Sequence, residues 1–316
     1  MSNPVSYNAH GPVAVLRIQN PPVNALSQAV RQGLSEAMDR AEADADIKAV
    51  VIVGDGRAFI AGADITEFGK PPMEPNLPDL CSRIEASPLL VIASMHGVSL
   101  GGGLEVALSA HYRIAQPDAR VGLPEVHLGL LPGAGGTQRL PRLTGAAKGI
   151  EIMTSGGQVK AAAALEMGII DKIEIGDPQE VGLAYATELV NSAAPRRAVS
   201  ELAGPEAMDW DAAYAGAVSK ARGQNSPGAI VRAVQAASEL PFAQGLARER
   251  ALFTELLQGD QSKGMIHAFF NERAVSNLPE LKGVTPRALN AIGVIGGGTM
   301  GAGIATAALL AKMQVV

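Results

Sequence analysis

The sequence predicts a protein of the α/β class, and three features of the chain support this prediction. In the first half, short apolar runs rich in β-branched residues alternate with segments whose apolar residues recur at helical spacing. From about residue 146 the pattern is mainly helical. Near residue 290 a further strand, a glycine-rich turn and a helix follow one another. Alternation of strands and helices is typical of sheets covered by helices.

The elements of the first half follow from periodicity and from turn residues. Gln28–Ala45 is expected to be a helix because its apolar residues recur every three or four positions after Ser27. Asp79 is expected to cap a short helix that runs to about Ala86 and stops before Pro88. The other expected elements are strands at Val13–Ile18, Ala49–Val53, Leu89–Ser94, Arg113–Gln116 and Arg120–Gly122, and a helix from about Gly103 to Ala110.

The second half is predicted to be a series of helices. One short strand, Ile169–Ile175, lies among them. The last segment has a strand at Ala291–Ile295, a turn and a helix at Ala302–Lys312, and Val315–Val316 is similar to the start of another strand. The expected helices before it are Ala146–Thr154, Lys160–Met167, Val181–Ser192, Trp210–Arg222, Gly228–Ser238, Phe242–Leu257 and Gln261–Ala274.

Composition excludes several classes of protein and partner. The formal net charge is −5 and basic residues form no runs, so nucleic acid and anionic membranes are not expected partners. No apolar stretch reaches the roughly 18–20 residues of a membrane span, and the N-terminus lacks the pattern of a signal peptide. Cys81 is the single cysteine, which excludes an internal disulfide and indicates a reducing compartment, so we expect a cytoplasmic protein. The His and Cys residues show no metal-ligand spacing, so no metal site is predicted.

A first candidate site motif is Arg57–Ile65, which follows a buried strand and a tight turn. The small residues Ala61, Gly62 and Ala63 would let a ligand approach the main chain. An exposed N–H in this segment could donate to a carbonyl oxygen that gains negative charge during a reaction. A turn built from small residues without any ligand is the alternative interpretation.

A second motif joins a buried strand to Gly101–Gly103 and then to a helix. The first N–H groups of a helix have no intrahelical acceptor, and they lie at the positive end of the helix dipole. This junction is therefore suited to an oxyanion. Glu105 lies in the first turn, where it is either a chemical group of the site or a carboxylate that only complements the dipole.

A third motif, Val121–Leu140, places Glu125 among apolar residues. Apolar surroundings raise the pKa of a carboxyl group, which suits a residue that gives and takes a proton near neutrality. No serine or cysteine nucleophile motif accompanies the neighbouring His127, so we expect a structural role for that side chain.

Together, the three motifs resemble those of the enoyl-CoA hydratase/isomerase (crotonase) superfamily. The matching segments are Ala61–Ile65, Gly101–Glu105 and Pro124–Leu140, in the family's order. The two glutamates, Glu105 and Glu125, also stand at the family's separation of 20 residues. The resemblance covers about residues 10–190. It implies the crotonase fold, a spiral of ββα units followed by helices that cover the site or form trimer contacts.

The resemblance also implies an activity and the residues that perform it. The substrate would be a 2-enoyl-CoA thioester whose oxygen is held by the N–H groups of Ala63 and Gly102. Glu105 would activate water and Glu125 would deliver a proton, with conversion of 3-enoyl-CoA to 2-enoyl-CoA as a second activity. No cofactor is implied for these reactions. Single-function relatives often have a lysine where this chain has Thr66, so the CoA phosphate contacts must come from elsewhere. The residues expected to contact substrate and CoA are Ala61, Asp64, Ile65 and Gly133.

A second resemblance lies beyond the crotonase part. Lys263–Arg273 is similar to the linker helix of multifunctional fatty-acid β-oxidation enzymes, which join a crotonase part to a 3-hydroxyacyl-CoA dehydrogenase. Gly296, Gly298 and Gly301 match the G-x-G-x-x-G turn with which that NAD-binding Rossmann domain begins. An acidic residue that holds the ribose is expected about 20 residues further on, beyond this sequence. We therefore expect this chain to lack dehydrogenase activity and NAD binding, and NAD to be a cofactor only of a longer protein.

These inferences divide the chain into four parts. They are residues 1–190, the crotonase core; 191–258, its C-terminal helical part; 259–289, the linker helix and connection; and 290–316, the start of a Rossmann domain. Phe269 and Phe270 of the linker helix are expected to pack against the crotonase part. A thiolase or a second copy of the chain is a candidate partner of the longer protein. Two other functions stay open: another crotonase-fold reaction, such as thioester hydrolysis or decarboxylation, and a non-catalytic acyl-CoA-binding module.

Overall fold

The computed structural model describes residues 3–276 and 278–316, and the chain divides after residue 268 into two units. The described strands are β1 (Val5–His10), β2 (Val13–Ile18), β3 (Ala49–Gly54), β4 (Leu90–Met95), β5 (Val98–Leu100), β6 (Tyr112–Ala115), β7 (Arg120–Gly122), β8 (Val159–Lys160), β9 (Lys172–Ile173), β10 (Ala291–Ile292) and β11 (Gln314–Val315). Short 3-10 helices lie at Ile65–Glu67, Pro124–Leu128, Val199–Glu201 and Pro279–Leu281. None of the helices in the described residues is long and apolar enough to cross a membrane.

Among the described residues, the last α-helix lies in the second unit, the one before it crosses the boundary after residue 268, and the others lie in the first unit with its two sheets. They are α1 (Gln28–Ala43), α2 (Leu77–Ala86), α3 (Gly102–Ser109), α4 (Gly136–Thr144), α5 (Ala146–Ser155), α6 (Ala161–Glu166), α7 (Pro178–Asn191), α8 (Trp210–Lys220), α9 (Ser226–Glu239), α10 (Phe242–Gln258), α11 (Asp260–Ser276) and α12 (Thr299–Leu310).

A six-stranded sheet in the order β1-β2-β3-β4-β6-β9 is buried on both faces. Its strands are parallel except for the edge strand β1, which is antiparallel to β2. Successive side chains of a strand point to opposite faces. Val13 and Val15 therefore pack in the cluster that contains Tyr185 of α7, whereas Ala14 and Leu16 face the larger core. Burial on both faces explains why β3 is a continuous apolar run.

A second sheet, β5-β7-β8, brings the second and third motifs together. β5 and β7 are parallel, and Leu100 pairs with Gly122 at their carboxyl ends. The N–H of Gly101 also donates to the Gly122 oxygen at 2.9 Å. The glycine turn before α3 and the segment that leads to Glu125 therefore leave the sheet at neighbouring points.

The predicted cap of α2 is wrong, and the first N–H of α1 is bound by a distant residue. Asn76 rather than Asp79 is the N-cap of α2, and its Oδ1 accepts from the Asp79 N–H at 2.9 Å. Ser27 makes no capping hydrogen bond at the start of α1. Instead, the carboxylate of Glu67 accepts from the Gln28 N–H at 2.7 Å.

Other elements of the structure also differ from the predicted ones. The edge strand β1 escaped prediction because most of its side chains are at least partly exposed and show no apolar run. α4 also escaped, since its sequence was interpreted only as a glycine-rich motif. The predicted strand Ile169–Ile175 is reduced to Lys172–Ile173, because the N–H groups of Ile169 and Ile170 donate to the Ala164 oxygen, at 2.8 and 3.2 Å, and not to a neighbouring strand.

The second unit, residues 269–316, contains the predicted strand, turn, helix and further strand. β10 and β11 are parallel, and Ala291 pairs with Gln314. Gly296 has a φ of 99°, and the space that a Cβ on Gly301 would need is filled by the Gly296 oxygen. The rings of Phe269 and Phe270 meet edge to face at 5.8 Å. Their packing against the crotonase part stays a prediction, as does the four-part division of the chain.

Stability is expected to fall as the pH drops from 7 to 5, because the buried His111 is held neutral. Its Nδ1 accepts from the Val91 N–H at 2.9 Å and therefore carries no proton. Its Nε2 donates to the main-chain carbonyl oxygen of Glu85 at 3.1 Å. Burial lowers the pKa of His111 below its usual value. The unfolded chain therefore binds a proton near pH 6.5 while the folded chain does not, which favours unfolding. The test is to measure the melting temperature as a function of pH for wild type, His111→Gln and the exposed control His10→Gln. We expect the melting temperature of His111→Gln to change less with pH than that of the other two proteins. Equal slopes would contradict this origin.

Candidate active site

A buried amide fixes the loop that carries the first motif. Asn24 is 2% exposed, and its Nδ2 donates to the Ala58 oxygen at 2.8 Å. The Leu26 N–H donates to the Gly62 oxygen at 2.9 Å, and Leu26 forms a parallel bridge with Ala63. The position of Ala63 is therefore set by bonds to the segment between β2 and α1.

The two predicted oxyanion donors, Ala63 and Gly102, are neighbours. A Cβ placed on Gly102 would lie 3.3 Å from the Ala63 nitrogen. Gly102 begins α3, so its N–H has no acceptor inside that helix, and the Ala63 N–H has no acceptor among the described residues. Leu26 and Leu77 border the same space, at 3.4 and 2.7 Å from that Cβ position. Free N–H groups beside apolar side chains are suited to stabilise an oxyanion.

Glu105 is buried in the first turn of α3 and is held by two N–H donors. Its side chain is 3% exposed. Its Oε1 accepts from the Ala134 N–H at 2.7 Å and from the Gly136 N–H at 2.9 Å, at the start of α4. These two hydrogen bonds fix Oε1 of the carboxyl group. No described group is hydrogen-bonded to Oε2.

Glu125 approaches the same glycine turn from the 3-10 helix at Pro124–Leu128. A Cβ on Gly101 would lie 3.0 Å from Oε1 of Glu125. The Oε2 atom is buried and has no hydrogen-bond partner among the described residues. A buried carboxyl oxygen without a partner is costly unless a proton or a bound molecule compensates it.

The two carboxyl groups differ in their ease of ionisation. Burial raises the pKa of Glu105, and the N–H groups of Ala134 and Gly136 oppose that rise. Burial and, next, the charge of Glu105 raise the pKa of Glu125 well above its usual value. One group is thus better suited to accept a proton and the other to hold one, which is how neighbouring carboxyls divide acid and base roles.

The residues predicted to contact the substrate have structural partners within the protein. The Ala61 N–H donates to the Val23 oxygen at 3.0 Å. Asp64 caps the 3-10 helix that begins at Ile65, and its Oδ1 accepts from the Thr66 N–H at 3.0 Å and the Thr66 hydroxyl at 2.7 Å. Contacts of these residues with CoA stay predictions.

Gly133 packs against an aromatic ring of α10. A Cβ at this position would lie 2.5 Å from the ring of Phe253, so any larger residue would displace that ring. Phe253 in turn meets Phe68 edge to face at 6.5 Å between ring centres. Helix α10 therefore borders the loops of both the first and the third motif.

Sequence reasoning missed Glu249, a third buried carboxyl group, on α10. It is 1% exposed and accepts from the Gly135 N–H at 2.7 Å and the Thr137 N–H at 3.0 Å. Burial and then the charge of Glu105 raise its pKa to about 8. The sequence feature that could have indicated its burial is helical spacing, because Gly245, Glu249 and Leu252 form the buried face of α10.

The mixed α/β architecture, the two N–H groups at a glycine turn and the paired buried carboxyls define a class of protein. They are the parts of an enzyme that polarises a carbonyl group and moves protons on the neighbouring carbons.

Comparison with known proteins identifies the family within this class. The model of the enoyl-CoA hydratase/isomerase family matches residues 8–204. The chain belongs to the enoyl-CoA hydratase/isomerase family. The residues that carry the sequence resemblance, Ala61 to Leu140, lie inside the matched range.

Curated relatives are similar over nearly the whole chain. A peroxisomal bifunctional enzyme of Danio rerio is 43% identical over 301 residues, which cover 92% of this chain and 42% of that protein. A peroxisomal fatty acid beta-oxidation multifunctional protein of Oryza sativa is 36% identical over 331 residues, 96% of this chain and 44% of that protein. The chain thus spans less than half the length of these relatives.

Solved structures confirm the predicted fold. The crystal structure of carnitinyl-CoA hydratase from Mycobacterium avium is similar with a TM-score of 0.66 and 26% sequence identity, and the match covers 86% of this chain and 97% of that one. The prediction of a crotonase fold with a helical C-terminal region is therefore correct.

Proposed function

We propose that the chain hydrates 2-enoyl-CoA thioesters. The observation that carries this proposal is the pair of buried carboxyls at one glycine turn: Glu105 fixed by two N–H groups, and Glu125 with a buried oxygen that lacks a partner. Hydration requires one group that takes a proton from water and one that gives a proton to carbon. Family membership supplies the substrate class, a CoA thioester.

The proposed reaction begins with polarisation of the thioester. The N–H groups of Ala63 and Gly102 hold its oxygen, and this draws electron density from C3 through the conjugated double bond. Glu105 takes a proton from a water molecule as the water oxygen attacks C3. Glu125 gives its proton to C2 as the enolate collapses, so the elements of water are added and no electrons are exchanged. The proton on Glu105 then returns to Glu125 or to solvent to restore the starting state.

A second reaction of the same site is supported by the unpartnered oxygen of Glu125. Conversion of a 3-enoyl-CoA to a 2-enoyl-CoA removes a proton from C2 and adds one at C4. A single carboxyl that is not fixed by protein donors can move between these carbons, and Glu125 meets that description. Glu105 has no proton to move in this reaction.

The test of both reactions is an assay of the purified chain with 2-enoyl-CoA and 3-enoyl-CoA thioesters of varied acyl length. Hydration is followed by loss of the conjugated thioester absorbance, and product identity by chromatography. Release of free CoA without hydration would instead identify a thioester hydrolase. Binding of the thioesters without any turnover would identify an acyl-CoA-binding module. Either outcome would overturn the proposal.

The names of the relatives guide a proposal for the whole protein. Because they are described as bifunctional or multifunctional enzymes of fatty acid beta-oxidation, we assign this hydration to that pathway. The turn at Gly296, Gly298 and Gly301 is consistent with an NAD-binding 3-hydroxyacyl-CoA dehydrogenase as the second activity. Association with a thiolase, or with a second copy, remains a proposal for that protein. The predicted cytoplasmic location competes with a peroxisomal one, which the relatives' names favour.

Gly102→Ala is expected to lower kcat/KM for hydration by about 10²-fold, because displacement of the thioester oxygen from its donors should cost about as much as the loss of one donor. Alanine keeps the N–H, but its Cβ would stand 3.3 Å from the Ala63 nitrogen and 2.7 Å from Leu77, in the space assigned to the thioester oxygen. Gly216→Ala on α8 is the matched control, since a Cβ there meets no atom within 4 Å. Full activity of a folded Gly102→Ala protein would exclude this position for the oxyanion.

A further inference from the structure

The segment Ala134–Thr137 lies between two buried carboxylates. Its successive N–H groups alternate: those of Ala134 and Gly136 donate to Glu105, at 2.7 and 2.9 Å. Those of Gly135 and Thr137 donate to Glu249, at 2.7 and 3.0 Å. The Thr137 hydroxyl also donates to Glu249. The N–H groups that fix Glu105 are therefore themselves fixed by Glu249.

This alternation depends on the backbone at Gly135. Its φ of 97° lies in the left-handed region, and the space beside it is filled by the guanidinium group of Arg139. The conformation is therefore determined from one side by Arg139 and from the other by Glu249. Four N–H donors at the start of α4 serve two buried carboxyl groups, and the positive end of that helix favours their ionised forms.

We infer that Glu249 is a positioning residue for the proposed hydration, because it fixes the backbone segment whose N–H groups orient Glu105. The inference rests on the proposed function. Glu249 lies 114 residues from Gly135 along the chain, so a carboxyl group of α10, in the helical part, contacts the start of α4. A residue that only stabilised α4 would fix the helix but leave the proton equilibrium of the pair unchanged.

The charged groups around Glu249 set the direction of the expected pH effect. Glu105 from α3 and Glu125 from the 3-10 helix repel it, and Arg139 from α4 attracts it. On α10 itself, the neighbouring Arg250 acts on Glu105. Once Glu249 is itself ionised, its charge raises the pKa of Glu125. Its removal should let Glu125 lose its proton at a lower pH.

The test is Glu249→Gln in the whole chain, with 2-enoyl-CoA as substrate. Glutamine is nearly isosteric, but its NH₂ group cannot accept from the Thr137 N–H. We expect about a tenfold loss of kcat with little change in KM, and an alkaline limb of the kcat/KM profile that moves to lower pH. Glu255→Gln, on the exposed side of the same helix, is the matched control and should keep the wild-type profile.

Thr137→Val and Thr137→Ser give an independent test that holds if Glu249→Gln fails to fold. Valine removes the hydroxyl donor to Glu249, and serine keeps it. We expect Thr137→Val to lower kcat several-fold and Thr137→Ser to remain close to wild type.

The outcomes separate this inference from the proposed function. A wild-type chain without hydratase activity would refute the function itself. An active wild type, with folded Glu249→Gln or Thr137→Val proteins that melt earlier but keep the wild-type kcat and pH profile, would refute only the positioning role. Equal losses in Thr137→Val and Thr137→Ser would also refute it, because the hydroxyl would then be irrelevant.

Discussion

Glu125→Gln is expected to lower the rates of both hydration and double-bond isomerisation by about 10²–10⁴-fold, the usual contribution of a general acid or base. Glutamine reproduces the shape and neutrality of the protonated carboxyl but has no proton to give. Glu105→Gln is expected to lower hydration to a similar extent. Its Oε1 can still accept from Ala134 and Gly136, so the geometry is retained while the base is lost.

The ratio of the two activities distinguishes the roles. Because only Glu125 moves a proton in the proposed isomerisation, Glu105→Gln should retain that activity within about tenfold of wild type. The remaining difference would come from the lower pKa of Glu125 once the charge of Glu105 is removed. Steady-state assays with 2-enoyl-CoA and 3-enoyl-CoA measure the ratio directly. Near wild-type hydration in either variant, or equal loss of both activities in the two variants, would contradict the assignment.

Thermal stability provides an independent control for Glu125→Gln. The pKa of Glu125 is raised in the folded state. As the pH rises above about 4.3, the unfolded chain releases this proton while the folded chain keeps it, so wild-type stability falls. The glutamine variant lacks this loss and should melt at a higher temperature than wild type at pH 7, with a smaller difference at pH 4. Loss of activity with a gain in stability is difficult to explain by misfolding.

Glu105 and Glu125 could be selected from the sequence as a candidate pair because their determinants are local. Glu105 follows a glycine turn at a helix start, and Glu125 lies in an apolar segment, so each signal is contained in a few neighbouring residues. The parallel pairing of β5 with β7 then brings the two segments together. The alternation of β-branched runs and helices likewise predicted the sheet, since strand and helix periods differ.

The groups that support the pair could not be predicted in this way because they act across long stretches of chain. Glu249 is 112 residues from Thr137 and 114 residues from Gly135 along the chain. A single glutamate on a helix resembles any solvated charge until its neighbours are known. Only the spacing of Glu249 with Gly245 and Leu252 indicated burial, and that spacing says nothing about its partners.

A buried ion pair beneath the site has the largest expected effect on stability. Arg139 is 1% exposed and Glu85 is 6% exposed. Their contacts are 2.7 Å between Nη2 and Oε2 and 3.2 Å between Nε and Oε1. Arg139→Met leaves the Glu85 carboxylate buried without its counter-ion, which should cost about 3–5 kcal/mol of the free energy of unfolding. Chemical denaturation followed by circular dichroism measures this loss.

The double variant Glu85→Leu with Arg139→Met separates stability from function. Replacement of a buried pair by apolar side chains of similar volume is often neutral, so most of the lost stability should return. Activity should not return, because Nη1 of Arg139 also donates to the Ala134 oxygen at 3.1 Å and occupies the space beside Gly135. Without these contacts the N–H groups that hold Glu105 are free to move, and kcat should remain about tenfold or more below wild type. A double variant that recovers both stability and full activity would show that Arg139 supports the fold alone, and that the geometry of Glu105 does not depend on it.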